Sequence, residues 1–239
     1  MQYIGIILTL AFVFFVWEKF RPNAPLPSVA TWYTRAFIFN LFQAFIAYVG
    51  TELWDVWFSQ VSVFSLREWG LVWQMLLGYI VLTFFYYWWH RVRHTSSILW
   101  RYFHQFHHSP ARIEVITSFY KSPVELVANS LISSLILYVL LGLSAHAVGL
   151  TVLLTALAEL VYHVNLKTPY WMGYFFQRPE MHRIHHERGK HHNNYSDLPL
   201  WDMLFGTYYN PEEGYIETGF PDDGERRVWD LLRGKKLKI

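Results

Sequence analysis

The chain contains no cysteine among its 239 residues. This absence excludes disulfides, thiolate metal sites and cysteine nucleophiles. Charged residues are also scarce, at 16% of the chain, against roughly 25% in an average soluble domain. The formal net charge of +2 says little by itself. The sequence also has no glycine-rich phosphate loop, no nucleophile elbow for a Ser–His–Asp arrangement and no nucleic-acid motif, so we expect no nucleic-acid partner.

Hydrophobic residues, in contrast, make up 53% of the chain and aromatic residues 20%, including 12 Trp and 16 Tyr. Tryptophan and tyrosine in such numbers are typical of the interfacial belts of membrane proteins. Five apolar stretches can be recognised, at residues 3–17, 36–58, 70–89, 124–141 and 147–164. A span needs about 20 residues, so the first stretch is short, and we interpret it as an anchor and not as a removable signal peptide. The last two should form a tight hairpin.

The basic residues are distributed asymmetrically along the chain. If residues 18–35, 90–122 and 165–239 lie on one side of the membrane, Arg67 is the only Lys or Arg on the other side. By the positive-inside rule, the three basic segments then face the cytoplasm. We therefore expect a protein of a bacterial inner membrane or of the endoplasmic reticulum.

The resulting fold prediction is an all-α integral membrane protein with about four to five membrane-embedded helices and a histidine-rich helical cap in the cytoplasm. Residues 1–65 would supply N-terminal membrane helices, and residues 66–239 would form the histidine-bearing catalytic part. The two parts together are expected to form a single structural unit, because the length allows one domain.

Nine of the 12 histidines fall into four groups at helical spacing. They are His90 and His94; His104, His107 and His108; His163; and His182, His185 and His186. Spacings of three and four residues place side chains on one helix face. Several neutral imidazoles at one place favour iron, zinc, copper or nickel over magnesium or calcium. Nine are too many for one tetrahedral zinc but suffice for two metals, as in soluble di-iron bundles.

The histidine groups also resemble a known family. H-R-V-R-H at 90–94, H-Q-F-H-H-S at 104–109 and H-R-I-H-H at 182–186 are similar to the histidine boxes of the membrane fatty acid hydroxylase / sterol desaturase superfamily. The run N-N-Y-S-D-L-P-L-W-D-M-L-F-G-T-Y at 193–208, and the segment from Ser118 to Glu125, resemble the segments that follow these boxes. The resemblance covers roughly residues 70–210.

What the resemblance implies is an oxidoreductase with two iron ions, held by the nine histidines, which uses O₂ to hydroxylate an unactivated C–H bond in a lipid or sterol-like substrate. Zinc is a possible substitute in recombinant protein, because the affinity order favours zinc over ferrous iron. Electrons would come from a separate donor protein, since the chain is too short for a fused cytochrome domain. Desaturation is the alternative within the superfamily. A metal-binding or transport protein is the alternative from another class, although transport sites usually lie near the middle of the membrane.

Two positions depart from the pattern of the superfamily. Ser122 stands before Pro123, where relatives often carry a histidine, so this position can supply no ligand. Glu159 stands four residues before His163, where relatives have His or Asn. A carboxylate within a span is a functional candidate. Glu159 is therefore expected either to bind metal or to accept a hydrogen bond from an imidazole.

Four further polar residues need an interpretation. His191 is expected to be solvated or to contact a metal-binding side chain without binding the metal itself. Metal binding by His191 is the less favoured alternative. Asp197 and Asp202 are expected to accept hydrogen bonds from Nδ1 of box histidines, and helix capping is the alternative for Asp197. His146 is assigned to the loop on the opposite side and is excluded from the site.

Overall fold

The computed structural model describes residues 3–213 and 216–238. These residues contain ten α-helices in the order α1 (Ile4–Phe20), α2 (Trp32–Phe58), α3 (Leu71–Thr95), α4 (Ser97–Leu99), α5 (Gln105–His108), α6 (Pro123–Ser134), α7 (Ala145–His163), α8 (Pro179–His185), α9 (Pro199–Leu204) and α10 (Val228–Leu232). Two π-helical turns, Trp100–His104 and Leu135–Leu140, continue α4 and α6. Within the described part, β pairing is limited to one isolated bridge between Glu187 and Thr218. The all-α prediction is confirmed.

Four helical segments are long and apolar enough to cross a membrane: Trp32–Phe58, Leu71–Thr95, Pro123–Leu140 and Ala145–His163. They correspond to four of the five predicted stretches, with ends that differ by a few residues. The first predicted stretch forms α1, which has 17 residues and is therefore short for a span, as expected. The predicted number of four to five membrane-embedded helices is confirmed.

The hairpin between the last two spans is built by local signals in the sequence. Ser144 Oγ accepts a hydrogen bond from the Ala147 N–H and caps the start of α7. Gly142 has a φ of +63°, and a Cβ at this position would lie 2.1 Å from the Phe64 carbonyl oxygen. Only glycine fits this turn without strain. His146 lies in the first turn of α7 and not in the loop, which corrects its assignment, and its Nδ1 is 3.1 Å from Tyr3 Oη.

Helix α3 packs closely against α7, and α2 packs against α6. A Cβ added at Gly78 of α3 would lie 2.9 Å from side-chain atoms of Leu143 and Thr151, so a small residue here allows the two helices to approach. Gln74 Oε1 accepts a hydrogen bond from the Ser144 N–H. The N-terminal ends of α3 and α7 therefore lie together, and their histidine-bearing C-terminal ends share the other side of the bundle.

The segments at this histidine-bearing end form the cap, which comprises residues 96–122, 164–213 and 216–238. Its core is largely aromatic: the rings of Phe106 and Tyr120 stack with centroids 4.6 Å apart. Trp32 at the start of α2 and Leu231 of α10 belong to the same buried cluster. The cap is thereby attached to the second helix of the chain as well as to α3 and α7.

Candidate metal centre

The nine predicted histidines come together in two groups. The five-histidine group contains His90, His94, His104, His108 and His185, and the four-histidine group contains His107, His163, His182 and His186. Within each group, one ring nitrogen from every residue lies within 4.8 Å of the others. The stacked rings of His108 and His186, with centroids 4.1 Å apart, place the groups side by side. All four sequence groups therefore lie at one end of the bundle.

Helical spacing explains how one box serves both groups. His104 and His108, four residues apart, join the five-histidine group, whereas His107 turns to the other. The third box divides in the opposite way, since His182 and His186 belong to the four-histidine group and His185 does not. The π-helical turn Trp100–His104 ends at the first histidine of the second box. Such irregular turns are frequent at functional sites, because they change the direction in which side chains point.

Main-chain carbonyl groups orient four of the rings through Nδ1. The pairs are His90 with Tyr195 O at 2.7 Å, His185 with Asn193 O at 2.7 Å, His107 with Tyr120 O at 3.2 Å and His163 with Glu159 O at 2.8 Å. A carbonyl oxygen can only accept, so Nδ1 carries the proton in each ring. The lone pair is then on Nε2, which is the atom left to bind a metal.

His104 is oriented by a carboxylate instead. Its Nδ1 lies 3.0 Å from Glu125 Oε1, and Arg93, whose Nη1 is 3.1 Å from the same ring nitrogen, forms an ion pair with that carboxylate. Glu125 and Arg93 are both buried. Because the carboxylate accepts from both neighbours, it compensates the buried arginine and fixes the ring of His104 in one orientation.

Burial keeps the histidines of the cap in the neutral form. Loss of solvent, followed by Arg93 for His104 and by His186 for His108, holds the pKa values of these two rings well below their ordinary value. The same cause lowers the pKa values of His182 and His186, and it lowers that of His185 to about 3. Neutral imidazole is the form that binds a metal, so these rings need no deprotonation near pH 7.

The arrangement of the nitrogens fits bound metal ions. Neighbouring Nε2 atoms are 2.8 Å apart for His90 and His104 and 3.0 Å apart for His163 and His182. Two nitrogens at right angles around one ion, each about 2.1 Å away, are separated by about 3.0 Å. In addition, the buried Nε2 atoms of His94 and His185, both in the five-histidine group, have no hydrogen-bond partner. Buried polar atoms without partners are rare, and a metal ion would satisfy them.

Comparison with known proteins places the sequence in a family. The family model described as fatty acid hydroxylase matches residues 75–207, which include all the histidine boxes. The chain belongs to the fatty acid hydroxylase family. No solved structure matches it.

Several relatives of this chain carry names that describe the modification of lipids. Ornithine lipid hydroxylase OlsE of Rhizobium tropici is 31% identical over 157 residues, which cover 64% of this chain and 47% of that protein. Alkylglycerol monooxygenase of Danio rerio is 29% identical over 168 residues, covering 68% of the chain and 36% of that protein. Sphingolipid C4-hydroxylase sur2 of Schizosaccharomyces pombe is 24% identical over 143 residues, covering 58% and 49%. The chain thus spans about half or less of each relative's length.

The side chain of Glu159 does not lie where the sequence analysis expected it. Its carboxylate forms an ion pair with Lys121, and it is the main-chain carbonyl of Glu159 that accepts from His163. The carboxylate belongs to neither histidine group. The expectation that this side chain binds a metal or an imidazole is therefore corrected: a basic side chain from another segment pairs with it instead. Ser122, as expected, supplies no ligand, and its Oγ caps α6.

His191 and Asp197 also occupy positions that the sequence did not fix. His191 is buried, not solvated, and its Nδ1 lies 3.0 Å from Nδ1 of His108, so it contacts the five-histidine group from outside. Asp197 neither caps α9, which has no side-chain cap, nor meets a box histidine. Burial and the charge of Glu159 raise the pKa of Asp197 to about 7, and its carboxylate is paired with Tyr162.

Asp202 acts on a histidine indirectly, through the main chain of Tyr195. Its carboxylate accepts the N–H groups of Tyr195 at 2.8 Å and Ser196 at 3.0 Å, and the hydroxyl of Thr207 at 2.7 Å. The carbonyl of Tyr195, in turn, accepts from His90. The sequence expectation of a direct contact between Asp202 and a histidine is thus corrected. The carboxylate is used to hold the loop, because the main-chain N–H groups of a tight turn need an acceptor.

Glu125 and Lys121 were not singled out as site residues by the sequence analysis. Both lie in the segment after the second box that resembles the family. Glu125 stands near the start of a membrane-spanning helix, where a charged side chain is expensive and usually functional. That cost is the signal that identifies it. Lys121 carries no comparable signal, because a lysine at the end of a span is ordinary.

Proposed function

We propose that this fatty acid hydroxylase family member hydroxylates an unactivated C–H bond of a lipid or sterol-like substrate with O₂, using two iron ions. The observation that supports this most directly is the pair of neighbouring groups of buried ring nitrogens, with separations of 2.8–3.2 Å between adjacent Nε2 atoms. Ligand sets of neutral imidazoles suit iron. Two iron ions held there would supply the redox chemistry that activates O₂.

The chain itself would bind and orient these ions. The five-histidine group would hold one ion and the four-histidine group the other, so the second would keep more open positions for O₂. His90 and His94 are half-buried and the other seven histidines are buried. Both half-buried residues lie at the end of the spanning helix α3. An apolar substrate would therefore reach the centre from the spanning bundle, while the cap excludes water from the opposite side.

The proposed reaction needs a reductant. Hydroxylation converts R–H and O₂, with two electrons and two protons, into R–OH and one water molecule. The two electrons would come from a separate donor protein that docks on the cap. All Lys and Arg residues except Arg67 belong to the cap or to the end of the bundle next to it. By the positive-inside rule, the cap would therefore face the cytoplasm.

Comparative lipid mass spectrometry tests this function. Cells that express the chain should contain a lipid that is 16 Da heavier than its precursor, and cells that express the His185→Ala variant at the same level should not. A loss of 2 Da instead would identify a desaturase. Protein purified without added metal should contain close to two irons per chain. Bound metal without any change in the lipids would favour a metal-binding or transport protein.

A further inference from the structure

The ion pair between Lys121 and Glu159 joins two segments that orient the four-histidine group. Lys121 directly follows Tyr120, whose carbonyl accepts from Nδ1 of His107 at 3.2 Å. Glu159 lies on α7, and its own carbonyl accepts from Nδ1 of His163 at 2.8 Å. Lys121 is therefore the neighbour of the residue that orients His107, and Glu159 is itself the residue that orients His163.

The contact between the two segments is buried. Lys121 is 9% exposed, and the side chain of Glu159 is 16% exposed. Ser118 adds a second link, because its Oγ donates to the Glu159 carbonyl at 3.3 Å. A buried ion pair in a site of low dielectric holds its two groups strongly, because a charge left alone there would be costly. These contacts thus fix the position of the loop before α6 relative to α7.

We propose that the Lys121–Glu159 ion pair is a positioning device for the four-histidine group, and that it keeps His107 and His163 directed at the same metal ion. This inference rests on the proposed metal centre. It assigns to Glu159 a role other than metal binding. The acidic partner acts through the geometry of the loop and α7, and not by touching the ion.

The five-histidine group has its own supports. Its rings are oriented by the carbonyls of Tyr195 and Asn193 and by the carboxylate of Glu125. None of these acceptors belongs to the loop 118–121 or to α7. Loss of the Lys121–Glu159 pair should therefore weaken the binding of one ion and leave the other in place.

Electrostatics act in the same direction. The Lys121 ammonium group belongs to the residue directly after Tyr120, whose carbonyl accepts from Nδ1 of His107. Paired with Glu159, it contributes little net charge. Without Glu159, an uncompensated positive charge would stand beside two rings that bind a cation. The Glu159→Gln variant removes both the restraint and this compensation.

Metal retention in two backgrounds tests the proposal. The His94→Ala variant leaves the four-histidine group complete, and the His186→Ala variant leaves the five-histidine group complete. Full-length proteins are loaded with ferrous iron without oxygen and then challenged with a chelator. In the His94→Ala background, Glu159→Gln should speed the loss of iron by about 10–100-fold, the usual effect of removing an outer support. In the His186→Ala background it should have no effect. Asp230→Asn, which breaks the exposed pair with Arg227, should change neither.

The outcomes separate a positioning role from a merely structural one. Equal loss of iron in both backgrounds, or in neither, would overturn the inference. If Glu159→Gln folds poorly, the exchanged variant Lys121→Glu/Glu159→Lys restores the pair and should restore iron retention in the His94→Ala background; a folded exchanged variant that still loses iron would contradict the proposal. A wild-type protein that binds no iron would instead overturn the proposed function itself.

Discussion

The Nε2 atoms of His90 and His104 lie 2.8 Å apart, although the residues are 14 positions apart in the chain. His90 uses Nδ1 to donate to the Tyr195 carbonyl, and Nδ1 of His104 faces the Glu125 carboxylate. Nε2 of His90 therefore carries a lone pair, and Nε2 of His104 carries one in the tautomer whose Nδ1 donates to Glu125. Two lone pairs at this distance repel each other unless a positive charge lies between them. A metal ion shared by α3 and the second box would supply that charge.

The first prediction separates ligands from bystanders. His107→Ala and His185→Ala should each abolish lipid hydroxylation and lower the bound metal from about two ions per chain, because each removes one nitrogen from a different group. His146→Ala should change neither quantity, since His146 contacts Tyr3 at the far end of α7. Metal analysis and lipid mass spectrometry of the purified variants measure both effects. Full activity of His185→Ala would show that the third box is only structural.

The second prediction concerns Asp202. An asparagine keeps the size of this side chain but offers only one acceptor oxygen, so one of the N–H groups of Tyr195 and Ser196 loses its partner. The loop should loosen, and with it the carbonyls that orient His90 and His185. We expect metal affinity or activity to fall by about 10–100-fold. Asp222→Asn, at an exposed position, is the matched control. Unchanged metal binding in Asp202→Asn would show that the rings hold their orientation without the loop.

The two histidine groups could be anticipated from the sequence because helical spacing is a local property. His182, His185 and His186 must project from neighbouring positions of one helix wherever that helix lies. The division of the second and third boxes between the two histidine groups follows from the same geometry. The spans could be located for a similar reason, since a run of about 20 apolar residues reports on its surroundings without further information.

The supporting contacts could not be predicted, because they join segments that are distant in the chain. Nothing local relates Lys121 to Glu159 or His90 to Tyr195. Sequence reasoning gave carboxylates to the histidines, whereas the fold supplies main-chain carbonyls to four of them. A carbonyl belongs to every residue, so its use leaves no trace in the sequence. Glu125 and Glu159 each carry a signal, as acidic residues within spans, but that signal does not identify their partners.

The third prediction concerns pH. Seven histidines of the cap have lowered pKa values: His104, His107, His108, His182, His185, His186 and His191. In the unfolded chain they take up protons below their ordinary pKa of 6.5, but in the folded, metal-free protein they resist protonation, down to about 3 for His185. Each therefore contributes stability that is complete above pH 6.5 and is lost as the pH falls, by up to about 1.4 kcal/mol per pH unit.

Two carboxyl groups of the cap act in the opposite sense. Burial raises the pKa of Asp197 to about 7 and that of Asp202 to about 6, so their contributions are lost as the pH rises through these values. They are outnumbered by the histidines. The melting temperature of the metal-free protein in detergent should therefore fall steadily between pH 6.5 and pH 4. A melting temperature that is constant or rises on acidification would show that the rings are not held neutral by burial.

The fourth prediction tests the orientation in the membrane, for which the absence of cysteine is an advantage. Single cysteines can be introduced without removing any native one. Ser65 is exposed in the loop between α2 and α3, and Asp222 is exposed in the cap. The loop lies beside the hairpin turn between α6 and α7, because the Val63 N–H donates to the Val139 carbonyl. By the positive-inside rule, the loop should face away from the cytoplasm and the cap toward it.

A maleimide that cannot cross membranes should therefore label Ser65→Cys in intact cells, and Asp222→Cys only after the membrane is made permeable. The unmodified chain should remain unlabelled under both conditions. Labelling of Asp222→Cys in intact cells would place the histidine groups on the outer side, away from cytoplasmic electron donors. Because both positions lie outside the metal centre, iron content should be the same in the two variants, and the labelling pattern then reports orientation and not a loss of folding.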